Sequence, residues 1–82
     1  MIELPVGQIL ERDNGTQVIV TKPAMIPVNK SDRKTGYQLI AWDAKKKHIP
    51  LEAKEEYLFP EEIFKRFAYI QGRIDGEPTR EK

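Results

Sequence analysis

The chain of 82 residues contains no cysteine, one histidine and one tryptophan, and it has no long apolar run. The absence of cysteine excludes disulfides, zinc-thiolate sites, iron–sulfur clusters and thiol catalysis, and it favours a cytoplasmic setting. No apolar stretch approaches the roughly 20 residues that span a bilayer, and residues 1–5 lack the features of a secretory signal. We therefore expect one small domain over residues 1–74, with a disordered polar tail at 75–82.

Residues suited to catalysis are equally scarce. A nucleophilic triad would have to bring Ser31, the one serine, from a polar loop to His48, the one histidine. The carboxylate pairs at 55–56 and 61–62 are more simply explained as solvated or helix-stabilising charges. No glycine pattern cradles a phosphate and no spacing indicates a metal site. We expect a protein that is not an enzyme and holds no cofactor or metal.

Charge is distributed unevenly, although the formal net charge is only +1. Residues 1–21 carry −2, residues 22–54 carry +5 and residues 55–82 carry −2. A basic middle segment can steer an anionic partner. The sequence pI of about 8.0 is lower than is usual for a dedicated nucleic-acid-binding domain.

The first structural signal is a hairpin over Val6–Lys22, centred on Asn14-Gly15, a pair that readily forms a type I′ turn. A two-residue turn pairs Leu10 with Ile19, whereas a one-residue bulge shifts this register. Val18, Ile19 and Val20 form a continuous apolar run, which predicts a strand covered on both faces.

The segment Pro23–Thr35 contains two prolines and a polar, basic end, and we expect it to form a long surface loop. Met25, Ile26 and Val28 either pack this loop against the core or form an exposed contact surface. Arg33 and Lys34 follow them.

Residues 36–51, GYQLIAWDAKKKHIPL, predict a strand, a basic turn and a returning strand. Tyr37, Leu39 and Ala41 share one face of the first strand, and Gln38, Ile40 and Trp42 share the other. Asp43 suits the start of a turn, because its carboxylate can accept bonds from backbone N–H groups two residues on. Pro50 places the returning strand at an edge or ends it early.

Residues 55–59 predict a further strand, and Pro60 begins a helix that could run to Gly72. Its apolar stripe is Ile63, Phe64, Phe67 and Ile70. In the alternative, the helix ends near Phe67 and residues 68–74 form a last strand. The fold class is mainly β (α+β): a small SH3-like or OB-like barrel, or a curved antiparallel sheet of 4–5 strands, with one short C-terminal helix.

The heptapeptide AWDAKKK at residues 41–47 resembles the strand-turn near the start of some small phage proteins of the YopX type. The resemblance covers seven residues and lies mid-chain here. It implies a phage or mobile-element protein, a class in which short, cysteine-free proteins that bind and modulate a host factor are frequent.

These observations lead to two hypotheses. The first is a small protein-binding domain, an inhibitor, adaptor or regulator of a larger protein, with a homodimer as a variant. The alternative is a nucleic-acid or phosphorylated-ligand module, in which the lysine turn neutralises phosphates and Trp42 and Tyr37 stack on bases. Neither involves a membrane. The candidate binding residues are Lys45, Lys46, Lys47, His48, Trp42, Arg33, Lys34, Met25 and Ile26.

Overall fold

The computed structural model describes residues 4–67, 69–74 and 78–80. Its elements are β1 (Gln8–Glu11), β2 (Gln17–Pro27), β3 (Arg33–Ala41), β4 (Glu55–Leu58), α1 (Pro60–Arg66) and β5 (Tyr69–Arg73). The five strands form one antiparallel sheet in the order β4-β3-β2-β1-β5. The mainly β class with one short helix is confirmed. The sheet is open, with β4 and β5 at its edges, so the barrel form is not confirmed.

The sheet carries a hydrophobic cluster on each face. Leu39 lies on the face covered by Ile63 of α1, and both side chains are fully buried. Ile40 lies on the opposite face, where Trp42 and Ile49 complete a second cluster around Ile19. The predicted division of residues 37–42 between two faces is therefore confirmed, and so is the prediction that residues 18–20 are covered on both sides. The helix covers one face and the segment after β3 covers the other.

The first hairpin has the bulged register. Ile9 pairs with Ile19 and Leu10 with Val18, so the pairing of Leu10 with Ile19 expected for a two-residue turn is wrong. Gly15 has a φ of 89°, and its N–H donates to the carbonyl of Arg12 at 2.9 Å. A turn that ends in a left-handed glycine adds one residue to the loop, which accounts for the shift.

The expected long loop at 23–35 is also wrong, because most of this segment extends β2 and β3. Trp42 N–H donates to the carbonyl of Gln17, and hydrogen-bonded pairs recur at alternate residues of an antiparallel ladder. The even-numbered residues of β3 therefore bond to β2, where their partners beyond the bulge at Thr21 are residues 22, 24 and 26. Pro23 and Pro27 occupy the alternate positions, so their missing N–H groups cost no bond to β3.

The basic turn forms as expected, but the strand after it does not. Asp43 and His48 form an isolated bridge that closes the turn, and Ile49 is buried beneath the sheet. Leu51, the last residue of the predicted returning strand, is 59% exposed. Pro50 thus ends the returning segment early, which was one of the two outcomes expected for it.

The helix is shorter than the apolar stripe suggested. Its C-terminal cap, Phe67, is extended, with φ −114° and ψ 113°, and residues 69–73 form β5 against β1. The prediction of a helix that runs to Gly72 is therefore wrong. The alternative, a last strand, is confirmed for residues 69–73, and residue 68 lies outside the described residues. Pairing with β1 takes Ile70 out of the helical stripe and leaves its side chain 61% exposed.

Part of the predicted tail contacts the domain. Ile49 N–H donates to the carbonyl of Thr79 at 2.9 Å. The guanidinium of Arg80 donates to the carbonyls of Pro50, Leu51 and Ala53 at 3.2, 3.1 and 2.8 Å. Residues 75–77 and 81–82 of the predicted tail lie outside the described residues.

Candidate functional site

The β2–β3 hairpin extends past its neighbours as a two-stranded ribbon. Pairing with β4 begins at Tyr37, and among the described residues the last backbone hydrogen bond of β2 to the β1 side runs from Gly7 N–H to the carbonyl of Val20. We call residues 22–36 the arm. Its tip is closed by a bond from Val28 N–H to the carbonyl of Asp32 at 2.9 Å.

The arm and the adjacent part of β4 expose apolar side chains. Met25 is 57% exposed, Val28 48% and Tyr57 50%. Tyr57 also lines a shallow concavity of about 340 Å³ together with Met25, Ile26 and Pro27. We call these five residues the arm surface. Apolar side chains grouped in this way mark interaction sites more often than isolated ones do.

A hydrogen-bond chain from the core positions the ring of Tyr57. The hydroxyl of Thr21 donates to Gln38 Oε1 at 2.6 Å, and Gln38 Nε2 donates to the hydroxyl of Tyr57 at 2.8 Å. Gln38 is nearly fully buried, so both ends of its amide are satisfied where an unpaired group would be costly. The exposed ring is therefore attached to the core through its polar end.

The cations of the arm differ from three of the four arginines elsewhere on the molecule; the fourth, Arg73, donates to the carbonyl of Val6. Arg12, Arg66 and Arg80 each form an ion pair with a glutamate. Lys30, Arg33 and Lys34 are exposed, and the described residues offer them no carboxylate within ion-pairing distance. The nearest acid in sequence, Asp32, is bonded to the side-chain amide of Asn29. The arm thus combines apolar surface with uncompensated positive charge.

The lysine turn lies at the other end of β3. A nine-residue strand separates it from the arm tip by roughly 30 Å, so the structure does not bring the two groups of candidate residues together. Within the turn, Asp43 Oδ1 accepts from the N–H groups of Lys45 and Lys46 at 2.9 and 3.1 Å. The bond from Lys46 is the main cause that lowers the pKa of Asp43 below its ordinary value. Lys47 has a left-handed φ of 58°.

The two aromatic rings proposed to stack on bases are buried. Trp42 is 8% exposed and packs with Ile40 and Ile49; Tyr37 is 7% exposed and its hydroxyl accepts a bond from Leu4 N–H. The hypothesis that these rings stack on bases is therefore wrong. The turn exposes cations, but neither ring is accessible beside them. His48 is exposed, with its Nδ1 3.4 Å from the hydroxyl of Thr79.

The sequence reasoning missed Tyr57 as a site residue. The string EEYLF placed it correctly in a strand, but nothing in that string shows which face of the strand the sheet leaves open. A weak signal was present, because Tyr57 stands between a charged and an apolar residue in an edge strand, where alternation points one side chain outward.

In the part of the chain that the structure describes, no group of histidine and acidic side chains is placed to hold a metal ion. Over the same residues, no helix is long and apolar enough to cross a membrane. Comparison with known proteins finds no matching family model, no matching curated protein and no matching solved structure. The described residues define the class of fold, an open five-stranded antiparallel sheet with one short helix and a protruding hairpin.

Proposed function

We propose that this chain is a non-enzymatic, cytoplasmic protein-binding domain, an inhibitor, adaptor or regulator of a larger protein, and that the arm surface is its contact site. The observation that carries the proposal is the exposure of Met25 and Val28 on a ribbon that, among the described residues, pairs with no other strand over residues 22–36, next to the exposed Tyr57 of β4. Apolar and aromatic anchors surrounded by a polar rim are the usual composition of a protein interface, and a cationic rim is complementary to an acidic partner. The partner is accordingly a protein with an apolar and acidic surface.

The short resemblance of residues 41–47 to phage proteins is part of the same proposal. If the chain is encoded by a phage, its partner is a protein of the host. A homodimer through the arm is the variant in which the second copy supplies the covering surface. In that case the like-charged arms of two copies must approach each other, which favours a different protein as the partner.

A photo-crosslinking residue at position 25 tests the proposal in the source cell. The matched control is the same residue at position 51, since Met25 and Leu51 are exposed to almost the same degree, 57% and 59%, but only Met25 lies on the arm. We expect one stoichiometric protein adduct from position 25 that is absent from position 51. The adduct should disappear when the crosslinking chain also carries Tyr57→Glu. Equal labelling from both positions, or no adduct at either, contradicts the proposal.

The nucleic-acid alternative depends on charge alone once Trp42 is assigned to the core. Binding of an oligonucleotide at the lysine turn predicts an affinity that falls steeply with salt, and replacing one lysine should lower the slope by about one. Lys45→Gln is the appropriate single change. Salt-insensitive or undetectable binding contradicts this alternative.

A further inference from the structure

One edge of the arm is open for strand addition. Because the even-numbered residues of β3 bond to β2, the backbone groups of its odd-numbered residues point toward β4. Tyr37 pairs there with Leu58, the last residue of β4. The chain then turns away, since Pro60 has no N–H and begins α1. Among the described residues, no strand pairs with Arg33 and Thr35 on this side.

Space is available beside this edge. A concavity of about 410 Å³ lies between the arm and the start of α1, lined by Lys34, Thr35, Phe59, Pro60 and Glu61. A short extended segment can enter it in line with β4 and bond to the N–H and C=O groups of Arg33 and Thr35. Strand addition of this kind derives affinity from main-chain bonds and specificity from side-chain contacts.

The opposite edge of the arm is poor in main-chain donors. Of the three residues of β2 that face away from β3 there, Pro23 and Pro27 have no N–H and only Met25 can donate. Prolines at edge positions weaken pairing with another chain. The edge formed by β3 is therefore the better edge of main-chain donors and acceptors.

We propose that an extended, acidic segment of the partner protein adds to the sheet beside Arg33 and Thr35, as a strand in line with β4. This inference rests on the proposed function. Arg33 and Lys34 are adjacent in a strand and so project to opposite faces, which places a cation next to either face of the added strand. Glu61, on the far wall of the concavity, favours apolar residues in the half of the segment nearest α1 and acidic residues in the half nearest the tip.

Charge also argues against a second copy of this chain at this edge. Two copies pairing antiparallel through this part of β3 would bring Arg33 and Lys34 of one copy beside the same residues of the other, with either Arg33 or Lys34 directly opposite its own copy. Like charges directly opposite each other destabilise a strand pair. An acidic segment converts the same positions into favourable contacts.

The first measurement is amide hydrogen exchange of the free full-length protein, followed residue by residue by NMR. Leu39 is the internal control. The N–H groups of Leu39 and Thr35 both point toward β4, but among the described residues only Leu39 has a partner there, Glu56. We expect Thr35 to exchange at least about tenfold faster than Leu39. Equal protection of the two amides would overturn the open edge. Protection of Thr35 that rises with protein concentration would indicate self-pairing and would overturn the choice of occupant.

The second measurement uses three synthetic peptides with blocked ends: VTVEVEE, its basic counterpart VTVKVKK, and VTVEVEE with N-methyl groups on alternate residues that remove the bonding edge. We expect a dissociation constant of about 1 mM, an affinity that NMR detects easily. Only the unmethylated acidic peptide should shift the resonances of residues 33–36 and slow the exchange of the Thr35 amide. The variant Thr35→Pro should abolish these shifts. Lys34→Glu, which leaves the backbone donor in place, should weaken them and provides the readout if the proline variant is unfolded.

The outcomes separate this inference from the proposed function. Binding of the basic peptide, shifts outside the arm or no shift at all overturns the edge interaction. If position 25 still crosslinks one protein in the cell, the proposed function survives that result. If neither experiment gives a signal, both are overturned.

Discussion

The side-chain amide of Gln38, nearly fully buried, donates to the hydroxyl of the half-exposed Tyr57 at 2.8 Å. The bond crosses from β3 to β4 between residues that face each other in the ladder. It fixes a large exposed ring at the base of the arm, so the ring loses little conformational freedom when a partner contacts it.

Tyr57→Phe should lower the free energy of unfolding by about 1 kcal/mol, because the amide of Gln38 loses its acceptor. Thr21→Val removes the hydroxyl that bonds to the other end of the same amide. The two variants should be coupled by about 0.5 kcal/mol or more through Gln38. A double-mutant cycle from urea unfolding measures this energy. Strict additivity would show that the three groups do not act as one network.

Two strand glycines give a matched test of how closely the arm packs on β4. A methyl group on Gly36 would overlap Ile26 Cδ1 and approach the carbonyl oxygen of Leu58 to 2.7 Å, whereas nothing lies within 4 Å of one on Gly72. Gly36→Ala should cost about 1–3 kcal/mol of unfolding free energy. Gly72→Ala should be neutral or stabilise slightly.

Chemical denaturation of both variants distinguishes these outcomes. Adding Ile26→Ala to Gly36→Ala should recover only part of the loss, because the contact with the Leu58 carbonyl remains. Equal stability of the two alanine variants would contradict the close approach of the arm base to β4.

Local patterns predicted much of this sheet. Alternation from Tyr37 to Trp42 assigned both faces of β3 correctly, because a strand covered on both sides still places successive side chains on opposite faces. The carboxylate of Asp43 also accepts from the turn backbone as expected. These features depend only on residues close in sequence.

Features set by distant partners were not predictable in the same way. Pro23 and Pro27 lie within a strand because the register with β3 turns their nitrogens outward, and that register follows from the bulge at Thr21. Ile70 fits both a helical stripe and a strand, and pairing with Leu10 of β1, 60 residues earlier, decides between them. The same limitation applied to the site: which aromatic residue stays exposed, Trp42 or Tyr57, depends on how the segment after β3 folds over the sheet.

The lowered pKa of Asp43 predicts a pH dependence with a definite sign. A carboxyl whose pKa is lower in the folded state stabilises that state above the ordinary aspartate pKa of about 3.9. The contribution is lost as the pH falls through the lowered folded value. Asp43→Asn keeps an acceptor oxygen without the charge, so it should be less stable than the parent at pH 7 and match it at strongly acidic pH.

Urea unfolding of the parent and of Asp43→Asn at several pH values measures this convergence, and an NMR titration of the Asp43 carboxyl gives its midpoint directly. A midpoint at or above the ordinary value would contradict the role of the Lys46 and Lys45 N–H groups. Asp43→Ala, which removes the acceptor as well, should remain less stable than the parent at every pH.

Arg80 provides the last prediction, since its guanidinium binds the segment after β3 that covers Trp42. It donates to three backbone carbonyls and pairs with Glu55 at 3.5 Å. Arg80→Ala should lower the free energy of unfolding by about 1–2 kcal/mol. Arg80→Lys should recover less than half of the loss, because one ammonium nitrogen cannot take the place of both Nη1, which donates to the carbonyls, and Nη2, which pairs with Glu55. Arg33→Ala is the matched control, an exposed arginine with no ion pair among the described residues, and should change stability by less than about 0.5 kcal/mol.

Tryptophan fluorescence gives a second measurement of the same contact. The emission should shift to the red in Arg80→Ala, because loosening this segment exposes Trp42 to water, and it should stay unchanged in Arg33→Ala. Equal effects of the two substitutions on stability and emission would contradict the role assigned to Arg80.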